Sequence, residues 1–403
     1  MRILFLCNKS PWPPKEGGPL AMNMLVEGLA EAGHEVKVLA VNSYKYHIDP
    51  ASIPTDYLQK TGIELIDIDL RIKPLIAFLN LFTKRSYHIE RFISETFRKK
   101  LTEILRDHVY DIIQLETLFM SPYLDTIRLY SGARIVLRAH NIEHLIWERV
   151  AGEARNPFKC WYLKHLASTL KNYELKILKK FDGIAAITPT DAGYFRKVLS
   201  EKRSAIPVVD IPFGVDPDRY PYSPEKAEFP SLFTIGSMNW IPNEEGIRWF
   251  LHDVWPDVAQ QFPDLKYYLA GREMPVWMKE LKLPNVVVLG EVKDACEFMI
   301  SKAIMVVPLF SGSGIRIKII EGLATGRTII STSLGVEGIR CTNYENILIA
   351  NIPCEFFEMI SICVSDRERC RQIGEKGREL IKTHYNMKTI IDKLISFYRL
   401  LTD

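Results

Sequence analysis

With 403 residues, 47% hydrophobic and 25% charged, the chain is long enough for two domains with a large buried core. A net charge of +3 is too small to imply nucleic-acid binding, and no apolar run approaches the roughly 20 residues that span a bilayer. Seven scattered cysteines without a Cys-x-x-Cys pair argue against a disulfide frame or a zinc site, and predict small buried hydrophobes in a reducing cytoplasm.

The first 42 residues read strand, loop, helix, strand. Residues 2–7 are apolar and β-prone, and read as a first strand, not a signal peptide. The loop NKSPWPPKEGG follows, and Gly17 and Gly18 precede a helix carrying Leu20, Met24, Leu25 and Leu29 on one face. Gly33 ends that helix and residues 35–41 form the next strand. This βαβ opening implies a parallel sheet with ligands beyond the carboxyl ends of its strands. Similar short strands recur at 63–68, 111–115, 134–138 and 183–187. Residues 208–230 are rich in proline and turn signals, which predicts a linker with the domain boundary near 215. Six further strand candidates follow: LFTIGSM, LKYYLAG, NVVVLGEV, AIMVVPL, RTIISTS and NILIA. The last segment is amphipathic, with Ile390, Ile391, Leu394, Phe397, Tyr398 and Leu401 available for packing. The reading is thus α/β with two doubly wound halves, 1–215 and 216–382, facing a cleft. A final helix, 383–403, is expected to pack back on the first half.

The most informative stretch is SGSGIRIKIIEGLATG, residues 311–326. A buried strand runs into a Ser/Gly loop and then into an amphipathic segment with Arg316, Lys318 and Glu321. Gly312, Ser313, Gly314 and Ile315 let a ligand come close to the backbone, and a helix starting there aims free N–H groups at it. Two cations beside those amides, with one carboxylate a turn further on, suit a diphosphate attached to a polyol, as in a nucleotide-sugar. On a continuous helix Arg316 and Lys318 would diverge, so either one is a surface residue or the helix starts after Arg316. Two segments are strongly basic. Residues 71–100 hold eight Lys or Arg against two Glu, and residues 155–180 hold seven against one, interleaved with Phe158, Trp161, Tyr162 and Leu163. Basic residues among aromatics suit an anionic membrane surface, and equally a solvated basic face.

With those blocks placed, the chain resembles the retaining glycosyltransferases of the GT-B fold, specifically glycosyltransferase family 4. The resemblance rests on the Gly17–Gly18 loop, RAHNIEH at 138–144, KKFDGIAAITPTDAGYF and IPFGVD at 211–216. It continues through TIGSMNWIPNEEGIRWF and SGSGIRIKIIEGLATGRTIISTSLGVEG. It implies a hexosyltransferase-type enzyme using a nucleotide-sugar donor and a glycan or lipid-linked acceptor. The cysteines and basic segments lead us to expect a cytoplasmic protein, peripheral on the inner face of a membrane, and without an Asp-x-Asp in a suitable loop or His/Cys ligand spacing no metal or other cofactor is expected. By that resemblance Glu321 accepts hydrogen bonds from the ribose hydroxyls, while Gly17 and Gly18 approach the donor phosphate. His140 contacts the transferred sugar. Gly236 and Asn239 shape the phosphate floor, and Arg272, Gly290 and Val292 frame the base. Glu116, Asn141 and Glu143 are candidates for the acceptor. Two departures stand out. The family commonly has two glutamates with seven residues between them, but the first position here is Ser313. Many members carry an arginine and a lysine after the first strand of the second domain, where this chain reads GSMNWIPNEEG. Arg316 and Lys318 are therefore expected to take over the diphosphate. Competing readings are a nucleotide-sugar epimerase of the same fold and a catalytically silent binding protein. A dinucleotide oxidoreductase is opposed by the lack of G-x-G-x-x-G after either domain's first strand.

Overall fold

The computed structural model describes residues 1–14, 17–154, 156–312 and 314–403. In the first part of the chain, β1 (Arg2–Cys7), β2 (Glu35–Ser43), β3 (Glu64–Ile68), β4 (Ile112–Glu116), β5 (Arg134–Ala139), β6 (Gly183–Ala186) and β7 (Val208–Asp210) form one sheet. Its order is β3-β2-β1-β4-β5-β6-β7 and every pairing is parallel, with Leu4 opposite both Lys37 and Ile113. A parallel sheet is covered on both faces, which is why β1 is a run of apolar residues rather than an alternation. Past the first residue, β1 and β5 are wholly buried, as is all of β4. Leu4, Leu115, Phe97, Tyr123 and Phe195 fill one core cluster.

A second parallel sheet holds β8 (Glu228–Ser237), β9 (Lys266–Arg272), β10 (Val286–Gly290), β11 (Lys302–Val307), β12 (Thr328–Ser331) and β13 (Leu348–Ile349). Its order is β10-β9-β8-β11-β12-β13. Phe250 centres an aromatic core, 5.0 Å from the Tyr267 ring and 6.1 Å from that of Phe356. In both sheets the chain fills one side and then crosses to the other, between β1 and β4 and again between β8 and β11. Ligands of open α/β sheets bind outside the carboxyl ends at such reversals.

The chain divides into two compact units, one of Met1–Phe213 with Ile390–Asp403 and one of Gly214–Thr389. The last helix, Met387–Thr402, enters the first unit through bare glycines. A Cβ on Gly28 would lie 2.7 Å from Ile391, and one on Gly183 2.7 Å from Phe397. Two expectations need correcting. The proline-rich stretch from 208 begins as a strand, because β7 pairs with β6 before the chain turns away. Of the seven cysteines, all free, Cys7, Cys363 and Cys370 are buried, but Cys354 is exposed and the other three are half-buried.

Candidate functional site

In the second unit the predicted residues gather around the ends of β8 and β11. Gly312 and Gly314 adopt φ of 103° and 80°, left-handed backbone that favours glycine. A Cβ on Gly312 would stand 3.0 Å from the Trp240 ring. Ser313 lies outside the described residues. Arg316 is the N-cap of the helix Ile317–Ala324, with non-helical φ and ψ of −86° and 89°. The helix therefore starts after Arg316, and the two cations are not forced onto opposite faces. The Arg316 guanidinium, in a residue only 4% exposed, sits 5.8 Å from the Trp240 ring centroid and donates to the Gly314 carbonyl.

Lys318 points to the end of β8. Its ammonium donates to Asn243 Oδ1 at 2.5 Å, and Asn243 Nδ2 donates to the Ser237 carbonyl at 2.8 Å. A Cβ on Gly236 would be 3.7 Å from Lys318 Nζ. Thus a lysine from the helix occupies the place where GSMNWIPNEEG supplies no cation of its own. Although Lys318 is half-buried by surface area, its ammonium lies inside. Burial first, and the Arg316 charge second, hold its pKa down to about 7. Glu321, one turn on, accepts from the Tyr220 hydroxyl at 3.1 Å. Burial raises the Glu321 pKa and the Tyr220 hydrogen bond opposes the rise. Arg378 Nη1 in turn donates to the Tyr220 carbonyl at 2.6 Å, which fixes the tyrosine.

Gly236 and Gly271 are in register on β8 and β9, and a Cβ on Gly271 would meet the Gly236 carbonyl oxygen at 2.0 Å. Arg272 ends β9, half-buried. Asn239 accepts from Ser237 Oγ and donates to Glu273. Gly290 ends β10 with φ of 71°, and Val292 two residues on is half-buried, as is Ile315 just before the Arg316 N-cap. Two cations, a helix start and a hydrogen-bonded carboxylate can together neutralise a diphosphate and hold a diol.

The first unit builds a different cluster. Glu116, the fully buried last residue of β4, places Oε2 2.6 Å from His140 Nε2, while Oε1 accepts from Gln114 Nε2 at 2.6 Å. Gln114 Oε1 accepts from the Tyr398 hydroxyl of the last helix. Arg138 pairs in register with Glu116 and donates to the Ala186 carbonyl at 3.2 Å. Burial pulls its pKa to about 10, against the Glu116 charge. Thr117 has φ of 82° and a buried hydroxyl without a partner among the described residues, so strain is stored beside His140's orienting carboxylate. Glu174 accepts from the N–H groups of Glu143 and His144 and pairs with His144 Nδ1 at 2.6 Å, capping the helix Glu143–Glu153. Glu143 is buried beside it. Burial, then Glu174, push its pKa up to about 8, with an Asn141 hydrogen bond opposing. Gly17 and Gly18 open the helix Gly17–Glu31, where a Cβ on Gly18 would crowd Lys9 Cε at 2.9 Å.

The sequence reading missed Tyr220, Trp240, Asn243 and Gln114, and gave Tyr398 only a packing role. Trp240 and Asn243 lie within a block already singled out; the others meet their partners only through the fold.

Residues 20–219 match Glycosyltransferase Family 4, and residues 229–366 match Glycosyl transferases group 1. Across 98% of both chains the protein is 23% identical to an uncharacterized 44.6 kDa protein in the cps region of Klebsiella pneumoniae. Sucrose-phosphate synthase from Thermosynechococcus elongatus superposes with a TM-score of 0.72 and 18% identity over 100% of this chain and 99% of its own. Anabaena Alr3699/HepE in complex with UDP gives a TM-score of 0.67 and 14% identity over 98% of this chain and 99% of its own. The solved structures share two parallel α/β sheets of this kind, and the sequence matches run through both units: the chain belongs to glycosyltransferase family 4 and has the GT-B fold.

Proposed function

We propose that the protein is a retaining, hexosyltransferase-type enzyme that moves a sugar from a nucleotide-sugar to a hydroxyl of a growing surface polysaccharide or lipid-linked glycan. The observation that carries this reading is the joint placement of Arg316, Lys318 and the Glu321–Tyr220 pair at the carboxyl lip of β8 and β11. The UDP complex of Anabaena Alr3699/HepE supports a nucleotide-sugar as donor. In this reading the second unit holds the donor and the first offers the acceptor. The bond between the sugar's anomeric carbon and the diphosphate oxygen breaks, and the acceptor oxygen bonds to that carbon. The acceptor's proton passes to the departing phosphate on the same face. Arg316, Lys318 and the helix start stabilise the charge that builds on the leaving oxygen. Loss of one such donor costs about 3 kcal/mol, on the order of a hundredfold in rate. Glu321 receives the ribose hydroxyls and Gly312, Gly314 and Gly236 admit the phosphates. His140, held by Glu116, faces the transferred sugar. The reading calls for no metal or other cofactor.

A place on an anionic membrane is part of the proposal. The short helix Pro74–Asn80 exposes Leu75, Ile76, Phe78 and Leu79, and Phe82 beyond it is 78% exposed. The helix packs through Ala77 in one cluster with Leu163 and Leu166, whose own helix, Pro157–Ile177, exposes Phe158 and Trp161. No helix of the described residues is long and apolar enough to cross a membrane.

A panel of nucleotide-sugars tested for thermal stabilisation identifies the donor by mass action on the folded state. Transfer to an added acceptor, lost in Arg316→Ala and Glu321→Ala, establishes the reaction. Turnover of donor without any acceptor would instead establish an epimerase.

A further inference from the structure

The first unit has a cavity that the proposed mechanism does not use. It measures about 470 Å³, within the range of small-molecule sites, and neither Glu116 nor His140 is among its walls. Its floor comes from the residues just past β1, β2 and β3, at the carboxyl edge of the sheet.

Three independent features describe what would fill it. The first is charge: Lys9, Lys45, Arg71 and Arg91 line the cavity, and no carboxylate among the described residues does. Asp69 holds Arg71 from behind at 2.8 Å, and Lys45 and Arg91 keep the wall positive. The second is shape. Tyr44, Tyr46, Phe92, Phe119 and Trp147 present aromatic surfaces, and Lys9 and Lys45 lie over the Tyr46 ring at 4.5 and 5.2 Å. Flat apolar walls among polar groups suit the alternating faces and edges of a sugar ring. The third is unmet hydrogen bonding. His88 is only 7% exposed, its ring lies 4.0 Å from that of Trp147, and its Nε2 has no partner among the described residues. Asn8 Oδ1 and Arg91 Nε are buried in the same condition. Each such group costs about 1–3 kcal/mol when left unmade, so three around one cavity point to a polar occupant. Burial, then Arg91, hold the His88 pKa to about 4, which leaves a neutral imidazole suited to a hydroxyl.

We infer that this cavity seats an anionic sugar of the acceptor, one bearing a carboxylate or a phosphate. The inference rests on the reading of the first unit as the acceptor side, and it names the chemical class of that acceptor. Carboxylate would come from a uronate within the glycan, and phosphate from the link between a sugar and its lipid carrier.

The test uses the full chain and three probes in calorimetry: a glucuronate-containing tetrasaccharide, the same tetrasaccharide with its carboxyls reduced, and decyl phosphoglucose. At least one anionic probe is expected to bind tenfold or more tighter than the neutral one, with the preference shrinking as salt rises. Tighter binding of the tetrasaccharide assigns the uronate source, and tighter binding of the phosphoglucose assigns the lipid-phosphate source. In the double variant Lys45→Ala with Arg71→Ala the preference should vanish, while UDP affinity changes less than twofold. Equal binding of the neutral probe, failure of both anionic probes at millimolar concentration, or a preference that survives the double variant would each overturn the inference. Anionic probes that bind to a chain showing no affinity for any nucleotide-sugar would sink the donor reading and leave the cavity's assignment standing.

Discussion

Replacing Lys318 by methionine should make the protein more stable and leave it inactive. The ordinary lysine pKa of 10.5 falls to about 7 here because burial and Arg316 both oppose the charge. At 1.36 kcal/mol per pH unit, that drop sets an upper limit of about 5 kcal/mol on what the site costs the fold near neutrality. Lys318 is half-buried and keeps some hydration, and Lys318→Met strands Asn243 Oδ1, a loss of about 1–3 kcal/mol. A net gain of about 2 kcal/mol remains, which for a unit of this size raises the melting temperature by roughly 4–8 °C. The sign of the pH dependence follows from the lowered pKa. Between about pH 7 and 10.5 the unfolded chain binds more protons at this position than the folded one, so wild-type stability rises with pH through that window. The advantage of the variant is therefore full at pH 7 and gone by pH 10. Calorimetric melts of both proteins at pH 7 and 9.5, with a donor-binding titration at pH 7, check this. A variant that melts below wild type at pH 7, or a difference that ignores pH, refutes the claim that Lys318 is held at a cost for a ligand.

Glu321→Ala should weaken nucleotide-sugar binding roughly tenfold to a hundredfold, as expected for a lost charged hydrogen bond, with the circular dichroism unchanged. In wild type the raised Glu321 pKa means that donor affinity declines on acidification earlier than an ordinary carboxylate would dictate, which a pH series of titrations reads directly. Gly246→Ala would put a Cβ 1.7 Å from the Pro308 carbonyl oxygen and should cost more than about 3 kcal/mol in urea unfolding. Gly193→Ala, in a helix with nothing within 4 Å, should be neutral or stabilise by up to about 1 kcal/mol. Phe78→Glu with Phe82→Glu should abolish co-flotation with anionic vesicles while leaving the melting temperature within about 2 °C, since both side chains are exposed.

Both sheets were legible because buried parallel strands write themselves as short apolar runs between turn residues, as at 3–7 and 303–307. β7 was not legible: it has three half-buried residues and a proline close behind, the pattern of a linker. Around the site, glycines and charges beside a buried strand advertised Arg316, Lys318 and Glu321. What holds them did not show, because Tyr220 is 101 positions from Glu321 and Asn243 is 75 from Lys318. Tyr398 and Gln114 are separated by 284. Hydrogen bonds of that span leave no local pattern, and only the folded topology brings them within reach.

The return of the last helix to the first unit sets a timetable for synthesis. On the ribosome, Ile391, Phe397 and Tyr398 are added only after every residue of the second unit, Gly214–Thr389, has been made. The bare strips at Gly28 and Gly183 stay uncovered, and the relay from tyrosine through glutamine and glutamate to His140 stays open. The unit begun first is thus completed after the other, and a chain cut short before Ile390 would carry the whole second unit beside an unset histidine.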